Sequence, residues 1–505
     1  MEEAFAISAG ENDARIAALS KLVAKGDKDL APFLEAMIAD SVKVAGGKAY
    51  IIDGETVKDA VTGQPVTLAP SGLEDVVNNN RMGSEIEAAL GASRLGSPDV
   101  AVRAEAINTL AKAADESKLP VIDKALAAET DAKLKLELKG VRAKAMMASV
   151  DPARRIEAIK ALADDGTPEG RALLMERMQD PSELDPAVKG ALQLSLDTVN
   201  RELAWGERAG VIFTGISLGS ILLLAALGLA ITYGLMGVIN MAHGELMMIG
   251  AYATYAVQNV FRNHFPGAFD WYILPAIPTA FMASALVGAV LERTVFRFLY
   301  GRPLETLLAS WGVSLMLMQG VRTVFGAQNV QVENPNWMSG GFEILSNLTL
   351  PYNRLAIIAF AAIVLVGMTL MITKTRMGLF VRSVTQNRPM ASCMGVNTAR
   401  VDTMAFSLGA GIAGLAGCAL SQIGNVGPDL GQNYIVDSFM VVVLGGVGQI
   451  AGTVYAAMGL GLINKLLEGW TGAVLAKILV LVIVVVFIQK RPQGLFAMKG
   501  RSAEA

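Results

Sequence analysis

The second half of the chain is too apolar to fold as a water-soluble domain. From residue 209 to residue 490 the sequence is dominated by Leu, Ile, Val, Ala, Gly and Met. Runs of about eighteen or more mostly apolar residues follow one another there, and each is typical of a transmembrane helix. Because lipid cannot satisfy backbone hydrogen bonds, these runs are expected to be helical. Residues 209–505 are therefore predicted to be a transmembrane domain of about eight to nine spans.

The apolar runs predict where the spans lie, and one tract needs to be divided. Seven spans are predicted near residues 211–232, 235–258, 271–295, 304–325, 351–373, 402–422 and 471–489. The tract 434–467 would make a helix of roughly 51 Å, which is too long for one crossing. Gly445, Gly446 and Gly448 interrupt it. Two short or broken helices are predicted, either lining a binding site or packing closely through small residues.

The first half, residues 1–208, has a different composition. It is rich in Asp, Glu, Lys, Arg and Ala, and helical periodicity recurs in residues 13–38, 151–178 and, more loosely, 98–126. Paired helices repeated in this way are typical of HEAT-like arrays, although an α-helical domain without repeats is the alternative. The β-branched residues and turn residues of 49–68 predict a small β-hairpin insertion. The expected fold class is all-α: a soluble α-helical repeat domain followed by a polytopic α-helical membrane domain.

Composition excludes several classes of function. The net charge of −3 gives no reason to expect a nucleic-acid partner. Cys393, Cys418, His243 and His264 are too few and too dispersed to predict a disulfide framework or a metal site. Phosphate-binding and hydrolase motifs are missing from the sequence, and no catalytic cluster is recognisable. The chain is predicted not to be an enzyme and to bind no cofactor itself.

Polar residues within the apolar half are the candidates for a solute pathway. Asn240, His243 and Glu245 lie within the apolar tract 232–252, where an ionisable group is costly unless it faces a pathway or a partner. The three would converge if Gly244 broke the helix; the alternative is a helix end at the membrane interface. Three further candidates follow: Gln422, Asn425 and Asp437. For Asp437 a structural role is favoured, as a helix cap or in an ion pair.

Loop charges predict the orientation of the membrane domain. Lys and Arg are concentrated in 293–302, in 374–400 and after residue 489, whereas 326–350 and 423–433 contain neither. The positive-inside rule places the basic segments, and with them the C-terminus, in the cytoplasm. Counting crossings backwards places residues 1–208 outside it. Because the chain opens without a signal-peptide pattern, either that segment is missing from this sequence or the count is wrong by one crossing.

Three segments carry a family resemblance. GLMGVINMAHGELMMIG (234–250), the loop 376–397 and KRPQGLF (490–496) resemble permeases of the branched-chain amino acid type of ABC importer. Residues 385–396, 421–448 and 473–492, with the N-terminal extension, are similar to the urea-transport subtype. The resemblance implies a bacterial inner-membrane permease with a second homologous permease, two ATP-binding subunits that use the ATP, and a periplasmic substrate-binding protein. Residues 1–208 would then be periplasmic.

The same resemblance implies a segment that couples transport to the ATPase. The candidate coupling residues lie in 382–395, where a short helix is predicted to end at Gly395. They are Arg382, Gln386, Asn387, Arg388 and Gly395. The alternative is a basic loop beside anionic lipid. Because cations within the spans are few, urea or a short amide is the favoured substrate. A branched-chain amino acid importer, or a passive channel or secondary transporter, is the alternative.

Overall fold

The structure is a computed structural model. It describes residues 4–25, 30–53, 56–62, 64–66, 73–112, 114–181, 183–237 and 240–496. The chain divides into two compact units, Met1–Trp205 and Gly206–Ala505. Helices make up most of both units, with short strands in each, so the all-α prediction is confirmed.

The first unit is a series of helices around one small sheet. Its helices are α1 (Ala4–Ser8), α2 (Asn12–Lys25), α3 (Leu30–Ile38), α4 (Asn80–Arg94), α5 (Val100–Lys112), α6 (Leu119–Ala128), α7 (Ala132–Met147), α8 (Pro152–Asp165), α9 (Pro168–Gln179) and the first part of α10 (Pro186–Met236). Its strands are β1 (Val42–Ala45), β2 (Lys48–Asp53), β3 (Thr56–Asp59) and β4 (Glu74–Asp75).

The predicted hairpin belongs to a larger sheet. Strands β2 and β3 pair antiparallel, with Tyr50 opposite Asp59, inside the predicted range 49–68. Residues 54–55, 63 and 67–68 of that range lie outside the described residues. Strand β1 pairs with the other side of β2 through a turn at Gly46 and Gly47, where φ is 56° and 77°. Positive φ at both positions suits a two-residue hairpin turn and requires glycine-like residues. The sheet order is β3-β2-β1-β4.

A buried arginine–glutamate pair recurs in this unit. Arg103 of α5 donates to both carboxylate oxygens of Glu129, at 2.9 and 3.0 Å, and to the carbonyl oxygen of Ser97. Arg155 of α8 contacts Glu183 at 3.0 Å and donates to the carbonyl oxygen of Ser149. Each glutamate precedes the helix that follows the pair, α7 or α10. Two of the predicted repeats, 98–126 and 151–178, are thus each a helix pair joined to the next helix by the same contact.

The second unit contains the rest of α10 and the remaining elements. These are α11 (His243–His264), α12 (Ile273–Thr294), α13 (Pro303–Phe325), β5 (Gly341–Leu345), β6 (Leu348–Pro351), α14 (Tyr352–Lys374), α15 (Arg376–Gln386), α16 (Arg388–Cys393), α17 (Thr398–Ser421), α18 (Leu430–Gly445), α19 (Ile450–Thr471) and α20 (Ala473–Lys490). Strands β5 and β6 form an antiparallel hairpin.

Within the described residues, seven helices are long and apolar enough to cross a membrane. They are α10, α12, α13, α14, α17, α19 and α20. Two other helices correspond to predicted spans. Helix α11 has 22 residues but carries His243 and Glu245 in its first turn and Arg262 and His264 in its last. Helix α18 has only 16 residues, about 24 Å, which is less than the hydrocarbon thickness.

Glycines divide the tract 434–467 as predicted. Helix α18 ends at Gly445, and α19 starts at Ile450. Between them, Gly446 and Gly448 adopt positive φ angles of 98° and 75°. The tail segment 490–496 closes this break. The N–H of Leu495 donates to the carbonyl oxygen of Leu444 at 2.8 Å, and Phe496 stacks on Tyr455. The tail therefore satisfies a carbonyl group that the end of α18 leaves free.

Helix α17 is the packing centre of the second unit. A Cβ on Gly409 would lie 2.7 Å from the carbonyl oxygen of Gly228 in α10. A Cβ on Gly414 or Gly417 would overlap a backbone carbonyl of α12 or α11. Small residues allow helix backbones to approach closely where lipid provides no hydrophobic drive for association. Helices α10, α11 and α12 therefore each contact the backbone of α17 directly.

The buried Glu129 predicts a pH-dependent contribution to the stability of the first unit. The hydrogen bond from Arg103 and that from the N–H of Asp131 hold the pKa of Glu129 below its ordinary value of 4.5. Such a carboxylate stabilises the fold above its unfolded pKa and loses that contribution as the pH falls through the folded pKa. Glu129→Gln should lower amide-exchange protection factors of α5 and α7 at neutral pH, and this deficit should shrink in acid.

The measurement uses the full chain in detergent, with hydrogen exchange followed by mass spectrometry. Glu105→Gln is the matched control, because Glu105 is an exposed carboxylate on the same helix α5. Equal losses of protection in both variants, or a deficit that does not change with pH, would contradict the assignment.

Candidate solute pathway and coupling segment

The three polar residues 240, 243 and 245 lie at the start of α11. Helix α10 ends at Met236 and α11 begins at His243, so the helix breaks before His243. The Asn240 side chain accepts from the N–H of Ala242 at 3.0 Å, which shapes the turn into the helix. The break at Gly244 that convergence of the three side chains would have required does not occur. Gly244 is inside α11, where a Cβ would lie 2.5 Å from the carbonyl oxygen of Gly431 in α18, so glycine is needed for close packing.

All three side chains are buried, and each retains an unpartnered polar atom. Asn240, His243 and Glu245 are at most 1% exposed. His243 Nε2 donates to the carbonyl oxygen of Ala225 at 3.2 Å, and Glu245 Oε1 accepts from Ser314 at 2.9 Å. Among the described residues, Asn240 Nδ2, His243 Nδ1 and Glu245 Oε2 have no hydrogen-bond partner. His243 and Glu245 lie in the first turn of α11, which agrees with the helix-end alternative in position. Their burial is costly unless the polar groups face a pathway or a partner.

A cleft of about 400 Å³ holds two other predicted pathway residues, Asn425 and Asp437. Asp437 lies within α18, seven residues after its start at Leu430, so the helix-cap prediction is wrong. Its carboxylate instead faces Lys477 of α20, with 3.6 Å between Oδ2 and Nζ, which agrees with the predicted ion-pair alternative.

The cleft also holds charged residues that sequence reasoning did not assign to a pathway. Lys465 and Glu468 pair at 2.7 Å, and Asp429 lines the same wall. Lys465 and Glu468 lie on α19 and come close to Asp437 of α18 because α18, α19 and α20 pack in turn. The sequence signal that could have indicated this cleft is Lys477, a cation within the apolar helix α20. The cleft therefore carries both signs of charge beside an apolar wall that includes Leu218, Ile221 and Leu420.

Gln422 does not line this cleft, although Leu420 and Ile423 on either side of it do. Its Oε1 lies 3.1 Å from the hydroxyl of Tyr272, which also lies 2.8 Å from the carbonyl oxygen of Glu333. Its Nε2 donates to Ser421. Gln422 thus joins the end of α17 to α12 and to the segment 326–335. The six candidate pathway residues fall into three places rather than one.

The predicted coupling residues lie on α15, on α16, at the junction between these helices and in the turn that follows α16. Arg382, Gln386, Asn387 and Gly395 are exposed. Asn387 caps α16 by accepting from the N–H of Met390 at 3.0 Å. Gly395 has φ of 84°, two residues after the end of α16, which accounts for the glycine there. Arg388 differs from the rest, because its guanidinium turns inward and pairs with the buried Asp402.

A groove of about 630 Å³ lies beside the coupling helices. Its walls include Arg376, Phe380 and Met394 and the start of α17. Such a surface combines basic and apolar side chains at the segment predicted to face the ATPase.

In the described part of the chain, no group of three or more His, Cys, Asp or Glu could hold a metal ion.

Comparison with known proteins agrees with this architecture. The family model described as "Branched-chain amino acid transport system / permease component" matches residues 211–488. LivH, the high-affinity branched-chain amino acid transport system permease protein of Salmonella typhimurium, is 30% identical over 291 residues, which are 56% of this chain and 93% of LivH.

Two further relatives are the corresponding permease proteins BraD and LivM. BraD of Pseudomonas aeruginosa is 27% identical over 49% of this chain and 82% of its own length. LivM of Escherichia coli is 26% identical over 56% of this chain and 69% of its own length. No solved structure matches the chain significantly. Because the family model matches residues 211–488, more than half of the chain, the chain belongs to the family of permease components of branched-chain amino acid transport systems.

Proposed function

We propose that this chain is a permease subunit of an ATP-driven importer in a bacterial inner membrane. The observation that carries the proposal is the family match over residues 211–488, which include seven spans, the cleft and the coupling helices. The partners would be a second homologous permease, two ATP-binding subunits and a periplasmic substrate-binding protein. ATP would be used by those subunits, and this chain would bind no cofactor. Family membership disfavours a passive channel or a secondary transporter.

A branched-chain amino acid is the substrate class that we favour. A zwitterion requires a cation near its carboxylate and an anion near its ammonium group, and an aliphatic side chain requires an apolar surface. Lys477, Asp437 and the neighbouring apolar wall supply these features. The sequence argument for a neutral solute rested on the scarcity of cations, and the position of two lysines in one cleft weakens it. The names of the relatives favour the same class.

Urea or a short amide is the second candidate, and one observation favours it. Four asparagines line the cleft: Asn329, Asn425, Asn433 and Asn464. Each amide offers donors and an acceptor, which match the two amino groups and the carbonyl oxygen of urea. A narrow path of amides would pass such a solute without charge pairing.

Uptake of radiolabelled leucine and urea distinguishes the two candidates. In a strain that lacks the chromosomal gene and carries the plasmid-borne chain, we expect ATP-dependent leucine uptake that unlabelled isoleucine and valine inhibit. Lys477→Gln should reduce leucine uptake, because it removes the cation proposed to bind the carboxylate of the amino acid. Urea uptake without leucine uptake would select the second candidate. Uptake of either solute that persists without ATP would contradict the importer.

Glu245 is expected to be needed for transport. Glu245→Gln keeps the side-chain size and removes the charge from a buried carboxylate that has one unpartnered oxygen. We expect uptake to fall more than about tenfold, or roughly 1.4 kcal/mol, the scale of one charge-assisted hydrogen bond. Glu305→Gln is the control, since Glu305 is an exposed carboxylate in the first turn of α13. Normal uptake by a well-expressed Glu245→Gln variant would make Glu245 structural.

Residues 1–208 are proposed to be periplasmic and the coupling helices cytoplasmic. A cysteine in place of the exposed Lys160, in a Cys393→Ser background, should react with an impermeant thiol reagent in cells whose outer membrane is permeable to it. The exposed Cys393 of the unmodified chain should react only after the inner membrane is opened. The reverse labelling pattern would invert the proposed topology.

A further inference from the structure

Helix α16 is too short to hold its own position. It has six residues, and isolated helices of this length are unstable in water. Its outer face is exposed, with Met390 at 59% and, just beyond its end, Met394 at 78%. Its inner face packs Ala391 against Val384 and Val401. This apolar contact is small, so a further interaction must fix the orientation of α16.

That interaction is a cluster of polar side chains between α16, α12 and α17. Arg388 of α16 pairs with Asp402 of α17, whose side chain is 1% exposed. The Arg388 guanidinium also lies over the ring of Tyr300, with 4.9 Å between Cζ and the ring centroid. The hydroxyl of Tyr300 donates to Glu292 of α12 at 3.1 Å, and Thr403 of α17 donates to the other oxygen of Glu292 at 2.5 Å.

Each member of this cluster has a defined partner. Glu292 is 2% exposed and Asp402 is fully buried, so both carboxylates depend on the cluster for their hydrogen bonds. The planar guanidinium of Arg388 donates to Asp402 through two nitrogens and stacks its face on the ring of Tyr300. The ammonium group of a Lys could not make both contacts. The cluster therefore fixes α16 to α17, the helix on which α10, α11 and α12 are seated.

We propose that the cluster Glu292–Tyr300–Arg388–Asp402 transmits movement of α16 to the membrane helices, so that α16, α17 and the end of α12 move as one body when an ATPase subunit displaces α16. Arg388 is thus a positioning residue for α16. The inference rests on the proposed coupling function, because it assigns the step that follows ATPase docking. Without the cluster, α16 would shift on its small apolar contact while α17 stayed in place.

The test compares single and double variants in the complete importer, reconstituted with its ATPase subunits and binding protein in proteoliposomes. Arg388→Gln alone leaves Asp402 buried without a cation, and this can disturb folding. The double variant Arg388→Gln/Asp402→Asn removes both charges and should fold. Tyr300→Phe keeps the ring over Arg388 and removes only the link to Glu292. Arg297→Gln is the control, since it removes an exposed charge from the same loop.

The measured quantities are ATP hydrolysed per solute imported and stimulation of ATP hydrolysis by the loaded binding protein. The solute is radiolabelled leucine, or urea if the wild-type importer carries urea. We expect the double variant to assemble with normal thermal stability and to lose stimulation about fivefold or more, the scale of a coupling free energy between sites. Tyr300→Phe should show a smaller loss in the same direction. The control should behave as wild type.

Two results would overturn the inference, and they differ from failure of the proposed function. A folded double variant that couples like wild type would reduce the cluster to a structural role. If the double variant fails to fold, a Tyr300→Phe variant with wild-type coupling would have the same meaning. A wild-type chain that binds no ATPase, or whose uptake is independent of ATP, would instead remove the proposed function itself.

Discussion

Close backbone contact along α17 is the constraint on which the membrane unit depends. In lipid, apolar side chains gain nothing by leaving one apolar surface for another, so helices associate through tight packing and polar contacts. Gly409, Gly414 and Gly417 let α10, α12 and α11 approach α17 to backbone distance. A single methyl group at these positions would meet main-chain atoms, which cannot move aside as a flexible side chain can. The polar residues at the start of α11 keep their positions because this seating is fixed.

Charge pairs have a second role and lie where the glycine contacts do not reach. In the first unit, Arg103 and Arg155 join successive helix pairs to the next helix. In the second unit, Arg388 joins a short exposed helix to a buried one. In the first unit the arginine adds a polar contact to helices that also share an apolar core, whereas the apolar contact of α16 is small. A buried charge whose partner is removed is costly, so these contacts favour one arrangement of the helices over its neighbours.

The sequence was sufficient for the fold class and for most boundaries, because apolar length and glycine breaks are local signals. The division of 434–467 at Gly446 is an example. The start of α11 was missed, since a turn built on Asn240 is not visible as a loss of apolar character. The pathway candidates were harder to place. Lys477 and Asp437 are forty residues apart in sequence, and only the packing of α18 and α20 shows that they face each other. Arg388 was correctly assigned to a short helix, but its direction depends on Asp402 and Tyr300, which no local pattern connects to it.

The contact between the tail and the glycine break has a consequence for biosynthesis. Helix α18 is too short to span the bilayer alone, and the carbonyl group of Leu444 finds its donor in Leu495. That donor is translated only after α19 and α20. Until then the carbonyl group of Leu444 lacks this donor, and lipid cannot replace it. The hydrogen bond between the tail and the end of α18 can therefore form only after the last span has been translated.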